Sequence, residues 1–145
     1  MSQGTLVDPG ARSKIIYHDP EKTPLNVLVL YDQGTVEINT VRDHLECFAR
    51  YSPHRYHYVH ATGPDQPGAP LEWFDAVIIH YSVRLAFEGH LSPAYARALP
   101  EFAGLKVLFI QDEYDNTWTA CDWILRLGIR VVFTCVPPEF VPHIY

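Results

Sequence analysis

The sequence predicts an α/β fold: a three-layer, Rossmann-like or flavodoxin-like domain on a five-stranded parallel sheet in the order 2-1-3-4-5. Three observations predict it. Short apolar runs alternate with stretches of helical period, the pattern of βαβ units with right-handed crossovers. The first run, residues 25–31, is apolar apart from Asn26, as suits a strand covered on both faces. The runs also differ in polarity: the first, third and fourth are apolar and belong inside the sheet, whereas the second carries His54, Arg55, His57 and His60 and suits an edge.

Residues 1–24 hold Gly4, Pro9, Gly10, Pro20 and Pro24 without a sustained period. They read as a loose N-terminal arm, in which residues 14–17 can add a short strand, and the domain proper spans 25–145. After the first strand, Asp32, Gln33, Gly34 and Thr35 make a turn. A helix over 35–51 then places Ile38, Val41, Leu45 and Phe48 on one stripe. Ser52-Pro53 stops it, because proline disfavours helical geometry in the residue before it. The second strand covers 54–60, and the proline- and glycine-rich stretch 61–70 is a loop.

The third strand covers 74–80. Ser92-Pro93 supplies a hydroxyl N-cap and a first-turn proline for the next helix, whose apolar residues are Leu91, Tyr95, Leu99 and Phe102. Pro100 ends that helix early, and Gly104 precedes the fourth strand at 106–111. A helix over 117–127 is expected to bury Trp118, Cys121, Ile124 and Leu125, with Gly128 as its stop. The fifth strand spans 129–135. Pro137-Pro138 then opens a last helix that the chain barely starts, so the domain reads as truncated within it.

At 145 residues, 48% hydrophobic and 19% charged, the chain suits one globular domain with one core. Seventeen acidic against eleven basic residues give a net charge of −6, which argues against a nonspecific nucleic-acid partner. Cys47, Cys121 and Cys135 are odd in number and widely spaced, with no CxxC. They read as small buried apolar residues in a reducing compartment. No apolar run reaches membrane-spanning length and no basic-then-apolar leader occurs, so no membrane span is expected and a cytoplasmic location is the default.

The chemistry gathers where strands end. Ligands of open α/β sheets bind beyond the carboxyl ends of the strands, at the topological switch point. In the order 2-1-3-4-5 that point lies between strands one and three, lined by residues 32–35 and 80–84, with 111–116 beside them. Asp112, Glu113 and Asp115 can bind a cation, act as acid or base, or accept hydrogen bonds from sugar hydroxyls. They can equally be a solvated loop favoured by the positive end of the next helix. His80, followed by Tyr81, can contact a substrate hydroxyl or serve as a general base, or simply cap its strand.

His54, His57 and His60 form no metal site. Alternation turns His57 away, and the outer two lie about 20 Å apart along a strand. With only Gly34 in the first strand-to-helix turn, neither a dinucleotide fingerprint nor a P-loop is present. No nucleophile motif occurs, and Cys135 has no evident histidine partner. No cofactor is called for. A response-regulator receiver is excluded by its own requirements: Asp32 stands alone after strand one, His80-Tyr81 replaces the phosphorylated aspartate, and Cys135-Val136 replaces the lysine.

Residues 105–117, with the run Gln111-Asp112-Glu113-Tyr114-Asp115-Asn116, and residues 127–137 together resemble the N-terminal half of bacterial GT-B glycosyltransferases, of the family-1/4-like or spore-maturation-type group. Residues 74–81, ending in His80-Tyr81, resemble the same family's strand ending in histidine. The resemblance covers about 25–145. It implies the acceptor-binding half of a transferase that takes a sugar from a nucleotide-sugar donor. The implied partner is a sugar or other hydroxyl-bearing acceptor, and the nucleotide-sugar would be met only through a C-terminal domain that this chain lacks, leaving it inactive alone.

It further implies that Asp32, Gln33, Gly34, Thr35, Tyr81, Gln111, Asp112, Glu113, Asp115 and Asn116 form the acceptor wall with His80 as contact or base, and that metal is dispensable. The alternatives are a non-catalytic flavodoxin-like binding or interaction module using the same crevice, and a stand-alone enzyme using the carboxylates with a divalent metal.

Overall fold

The computed structural model describes residues 23–64, 69–112 and 114–145. Nearly all of the expected arm, including residues 14–17, lies outside that range, and so does Glu113. Five strands, β1 (Asn26–Tyr31), β2 (Arg55–His60), β3 (Ala76–Ile79), β4 (Leu105–Phe109) and β5 (Val131–Phe133), form one sheet. All neighbours are parallel, in the order β2-β1-β3-β4-β5. Burial explains the order: four of the six residues of β1 and all four of β3 are buried, whereas no residue of the edge strand β2 is.

Alternation sends successive side chains to opposite layers. Val27, Val29, Ala76 and Ile78 pack with Val41 and Leu45 of α1 (Asn39–Tyr51). On the other face, Leu28, Leu30, Val77, Ile79 and Leu108 pack with α2 (Pro93–Ala98) and α3 (Thr117–Leu127). A short α4 (Val141–Ile144) reaches α3, where Cys121 Sγ donates to the Ile144 carbonyl at 3.4 Å. Among the described residues only α1 lies over its face. Phe109 and Phe133 therefore stack at the far side of that face, 4.6 Å apart, with Phe133 53% exposed.

Several elements depart from expectation. Helix α1 begins at Asn39 rather than near Thr35, because Asp32 Oδ1 accepts the Gly34 N–H at 3.0 Å and folds Gln33–Thr35 into a 3-10 turn. In α3 the buried stripe is Ala120, Trp123 and Leu127, whereas Trp118 (88% exposed) and Leu125 (80% exposed) face away from the core. The small Ala120 lets that side of the helix approach the sheet, and the Arg126 guanidinium covers the Trp123 ring at 4.3 Å. The cysteines are not buried as expected: Cys47 and Cys121 are half-buried and Cys135 is exposed, and the three form no disulfide among the described residues.

Nor is β4 apolar throughout. Lys106 is buried, and its Nζ donates to the carbonyls of Leu99 and Phe102 at 3.0 Å each. Those carbonyls belong to the 3-10 turn Leu99–Glu101 that follows α2, and to its cap. Burial, with Arg130 nearby, lowers the Lys106 pKa. Gly104, just before β4, is required by close approach: a Cβ there would stand 2.5 Å from the Asp75 carbonyl oxygen. Asp75 also accepts the Asn26 N–H at 2.8 Å, so the amino ends of β1, β3 and β4 meet in one place.

Candidate functional site

At the end of β1, Asp32 is held on every side. Its N–H donates to Ser82 Oγ at 3.0 Å, and its carbonyl accepts from the Thr35 hydroxyl at 2.9 Å. Its Oδ1 accepts from the Gly34 N–H and from the Thr62 hydroxyl at 3.1 Å. His60, in register with Tyr31 on the neighbouring strand, completes this rim. The Gln33 N–H donates to His60 Nδ1 at 3.1 Å, which leaves the proton on Nε2, facing Thr62 Oγ1 at 3.4 Å. Asp32, Gln33, Gly34 and Thr35 thus form a braced turn against β2, with one imidazole and one hydroxyl that the sequence did not single out.

His80 follows β3 and has no exposed surface. Its Nδ1 accepts the Ser82 N–H at 3.0 Å and faces Ser82 Oγ at 2.9 Å. Because Nδ1 accepts the Ser82 N–H it carries no proton, so in the contact with Oγ the Ser82 hydroxyl is the donor. The neutral ring therefore carries its own proton on Nε2, which is buried and has no partner among the described residues. Burial, reinforced by the neighbouring His44, lowers the His80 pKa to about 3. His80 is a neutral donor beneath the rim, linked through Ser82 to Asp32, and Tyr81 covers it with ring centroids 4.0 Å apart.

The loop after β3 folds back toward Asp32. The Arg84 N–H donates to His90 Nδ1 at 3.0 Å, Leu91 bridges to Thr62, and the Arg84 guanidinium lies 4.1 Å over Phe87. Burial lowers the His90 pKa, opposed by the Asp32 carboxylate.

The loop after β4 takes a different form. Asp112 and Asn116 both have left-handed backbone, with φ of 59° and 54°, a conformation that Asp and Asn tolerate better than most residues. Asp115 N–H donates to the Asp112 carbonyl at 3.1 Å and the Tyr114 hydroxyl to Asp112 Oδ1 at 3.3 Å. That carboxylate raises the Tyr114 pKa. Gln111, Asp112, Asp115 and Asn116 are all exposed.

Two adjoining cavities lie beyond the ends of β4 and β5. One, of about 350 Å³, is lined by Tyr81 and Gln111 together with His44 from α1, Phe109, Thr134 and Cys135. The other, of about 390 Å³, takes in Gln111, Asp112, Tyr114, Cys135 and Pro137. They share Gln111 and Cys135, so they abut over the ends of β4 and β5. The trough is displaced from the expected switch point between β1 and β3. It brings together Tyr81, Gln111 and Asp112, but not the Asp32 turn, and Asp115 and Asn116 line neither cavity.

A larger cavity, of about 650 Å³, lies at the opposite end, between Leu71, Phe74, Phe102 and Gly104. Among the described residues it offers only Glu72 and Glu101 as charged side chains, and it lies before the strands rather than after them. The trough is therefore the better candidate despite its size. Among the described residues no group of three or more His, Cys, Asp or Glu is placed to hold a metal ion. None of their helices is long and apolar enough to cross a membrane.

Among the residues lining the trough, His44, Phe109, Phe133 and Thr134 were not singled out by sequence reasoning. For His44 there was a signal: it sits between Val41 and Phe48 at helical spacing, a polar side chain within an apolar stripe. No protein-family model, curated protein or solved structure compared with the chain matches it.

Proposed function

We propose that this chain is the acceptor-binding half of a glycosyltransferase, binding a hydroxyl-bearing acceptor at the carboxyl ends of β4 and β5 and transferring no sugar by itself. The observation that carries this is the composition of the trough. Aromatic rings (Tyr81, Phe109 and Tyr114) alternate with hydroxyl, amide and carboxylate groups (Thr134, Gln111 and Asp112). Apolar faces with a few directional polar groups are what small-ligand sites use, and a sugar presents both surfaces in return. The resemblance of residues 74–81, 105–117 and 127–137 to GT-B enzymes adds the reaction class. Asp112 accepts from acceptor hydroxyls, Gln111 donates and accepts, and the Asp32 turn acts by fixing Ser82 and through it His80.

One observation favours a second reading, a non-catalytic binding module. His80 is sealed, with its Nδ1 lone pair already engaged, so it offers no base to an incoming hydroxyl.

Binding and transfer are tested separately. Saturation-transfer NMR with neutral mono- and disaccharides should detect binding, and Gln111→Ala with Asp112→Asn should weaken it at least about tenfold, the loss of one or two hydrogen bonds to a charged or polar group. No signal at millimolar saccharide would end the acceptor assignment. Transfer from UDP- or GDP-sugars is expected only when a nucleotide-binding α/β domain is supplied with the chain. Saccharide binding without transfer in that setting leaves the binding module.

A further inference from the structure

The wall between α1 and β3 holds two imidazole nitrogens that the protein itself does not satisfy. His80 Nε2 and His44 Nδ1 are both buried without a hydrogen-bond partner among the described residues. The two rings lie 4.9 Å apart, and His44 also packs on Tyr81 and Phe109, at 5.3 and 4.8 Å. Buried polar atoms are nearly always paired with protein or ordered water, so two orphans side by side call for an oxygen from outside the chain, either a water or a ligand hydroxyl that replaces it. His44 lines the cavity of about 350 Å³, so that group enters from there.

The chemistry of the group follows from the two nitrogens. His80 Nε2 is a donor, because Nδ1 is occupied by Ser82. A single hydroxyl oxygen accepts from that N–H. With its remaining lone pair and its proton it also satisfies His44 Nδ1, whichever tautomer His44 adopts. A carbonyl accepts only, and an ammonium donates only, so neither serves both tautomers. Among the described residues no Asp, Glu, Lys or Arg lines the cavity, so a charged ligand would be desolvated there without a partner. Phe109, Phe133 and Tyr81 add aromatic surface to the lining, against which the apolar side of a small ring can lie.

We propose that the cavity between α1 and the ends of β4 and β5 binds an uncharged, hydroxyl-bearing ring, with one hydroxyl inserted between His44 and His80. Insertion requires the His44 ring to turn aside, which makes His44 the residue that selects the ligand. The inference rests on the acceptor-binding reading above and assigns its ligand class and its deepest contact. His80 is a positioning residue that orients one lone pair of that hydroxyl through its fixed Nε2–H.

The test is amide and imidazole NMR of the full chain titrated with glucose, galactose and their methyl glycosides, and in parallel with glucuronate and glucosamine. Neutral sugars should shift the amides of Thr40, His44 and Thr134 and move the His80 Nε2–H resonance, while the charged sugars bind at least about tenfold more weakly. His44→Leu should lose neutral-sugar binding, and His44→Gln, which keeps a donor and an acceptor, should retain much of it. If His44→Leu does not fold, the His80 Nε2–H shift in the unaltered chain decides alone. Neutral sugars that shift only residues 111–116 would overturn this assignment and leave acceptor binding standing. Equal binding of charged and neutral sugars would overturn it as well. No binding of any sugar would overturn both.

Discussion

The His80 imidazole is neutral because it has been removed from water. Its folded pKa, about 3, lies below the ordinary 6.5. Above pH 6.5 both folded and unfolded chains leave it uncharged, and the contribution to stability is fully present. Below 6.5 the unfolded chain takes up a proton that the folded chain refuses until about pH 3, so stability falls as pH falls through that window. One proton corresponds to a slope of up to about 1.4 kcal/mol per pH unit. His44 and His90, also lowered by burial, act in the same direction. His80→Phe should be less stable at pH 7, since Ser82 loses its acceptor, yet show a slope shallower by about one proton between pH 6 and 4. Urea unfolding across that range checks it, and parallel slopes for the two proteins would mean that His80 is not a buried neutral group.

At the level of elements, Lys106 ties β4 to the turn after α2. Pro100 ends the regular helix, so the last carbonyls keep acceptor capacity: that of Leu99 takes the Phe102 N–H at 3.1 Å and retains a lone pair, and that of Phe102 lies past the turn. The lysine stem crosses the core and its ammonium takes two of them. Lys106→Ala should therefore cost about 2–4 kcal/mol, combining lost charge-assisted hydrogen bonds with a cavity. Lys106→Met, which keeps the stem's packing, should cost less, and chemical denaturation of the pair separates the polar part from the apolar one. If both variants match the parent, the two carbonyls are satisfied in another way.

A lysine in an apolar strand gives no sequence sign that it is turned inward, because its target lies on a different element. The facing of α3 was hidden for a related reason. Its period is the same whichever stripe is buried, and the choice of Ala120, Trp123 and Leu127 over Trp118 and Leu125 depends on contacts with the sheet. Strand order, by contrast, was legible, because the polarity of β2 and the apolarity of β1 beyond Asn26 and of β3 record their positions directly. The polar run from Gln111 to Asn116 was legible as a strand-end loop on the same grounds.

Across the whole molecule, the expected rim at the β1–β3 crossover divides into two neighbourhoods. The Asp32 turn joins β2 through His60 and Thr62, and the trough forms beyond it, over β4 and β5, where α1 supplies His44. Sequence spacing cannot bring a residue of α1 to the end of β4, since they are some sixty positions apart and meet only once the sheet has closed. The fold therefore places the trough on a side of the rim that the strand order alone did not select.

Cys135 lies where the two halves of the trough meet, and its thiol is exposed, unlike those of Cys47 and Cys121. That position gives the trough a built-in chemical reporter. Alkylation of Cys135 by iodoacetamide, followed by peptide mass spectrometry, should slow several-fold when a saccharide occupies the trough, while the half-buried thiols react at unchanged rates. A ligand that binds without protecting Cys135 sits elsewhere on the molecule. The same exposure opens the trough to oxidation at Cys135, so storage under a reductant should preserve its rate of alkylation.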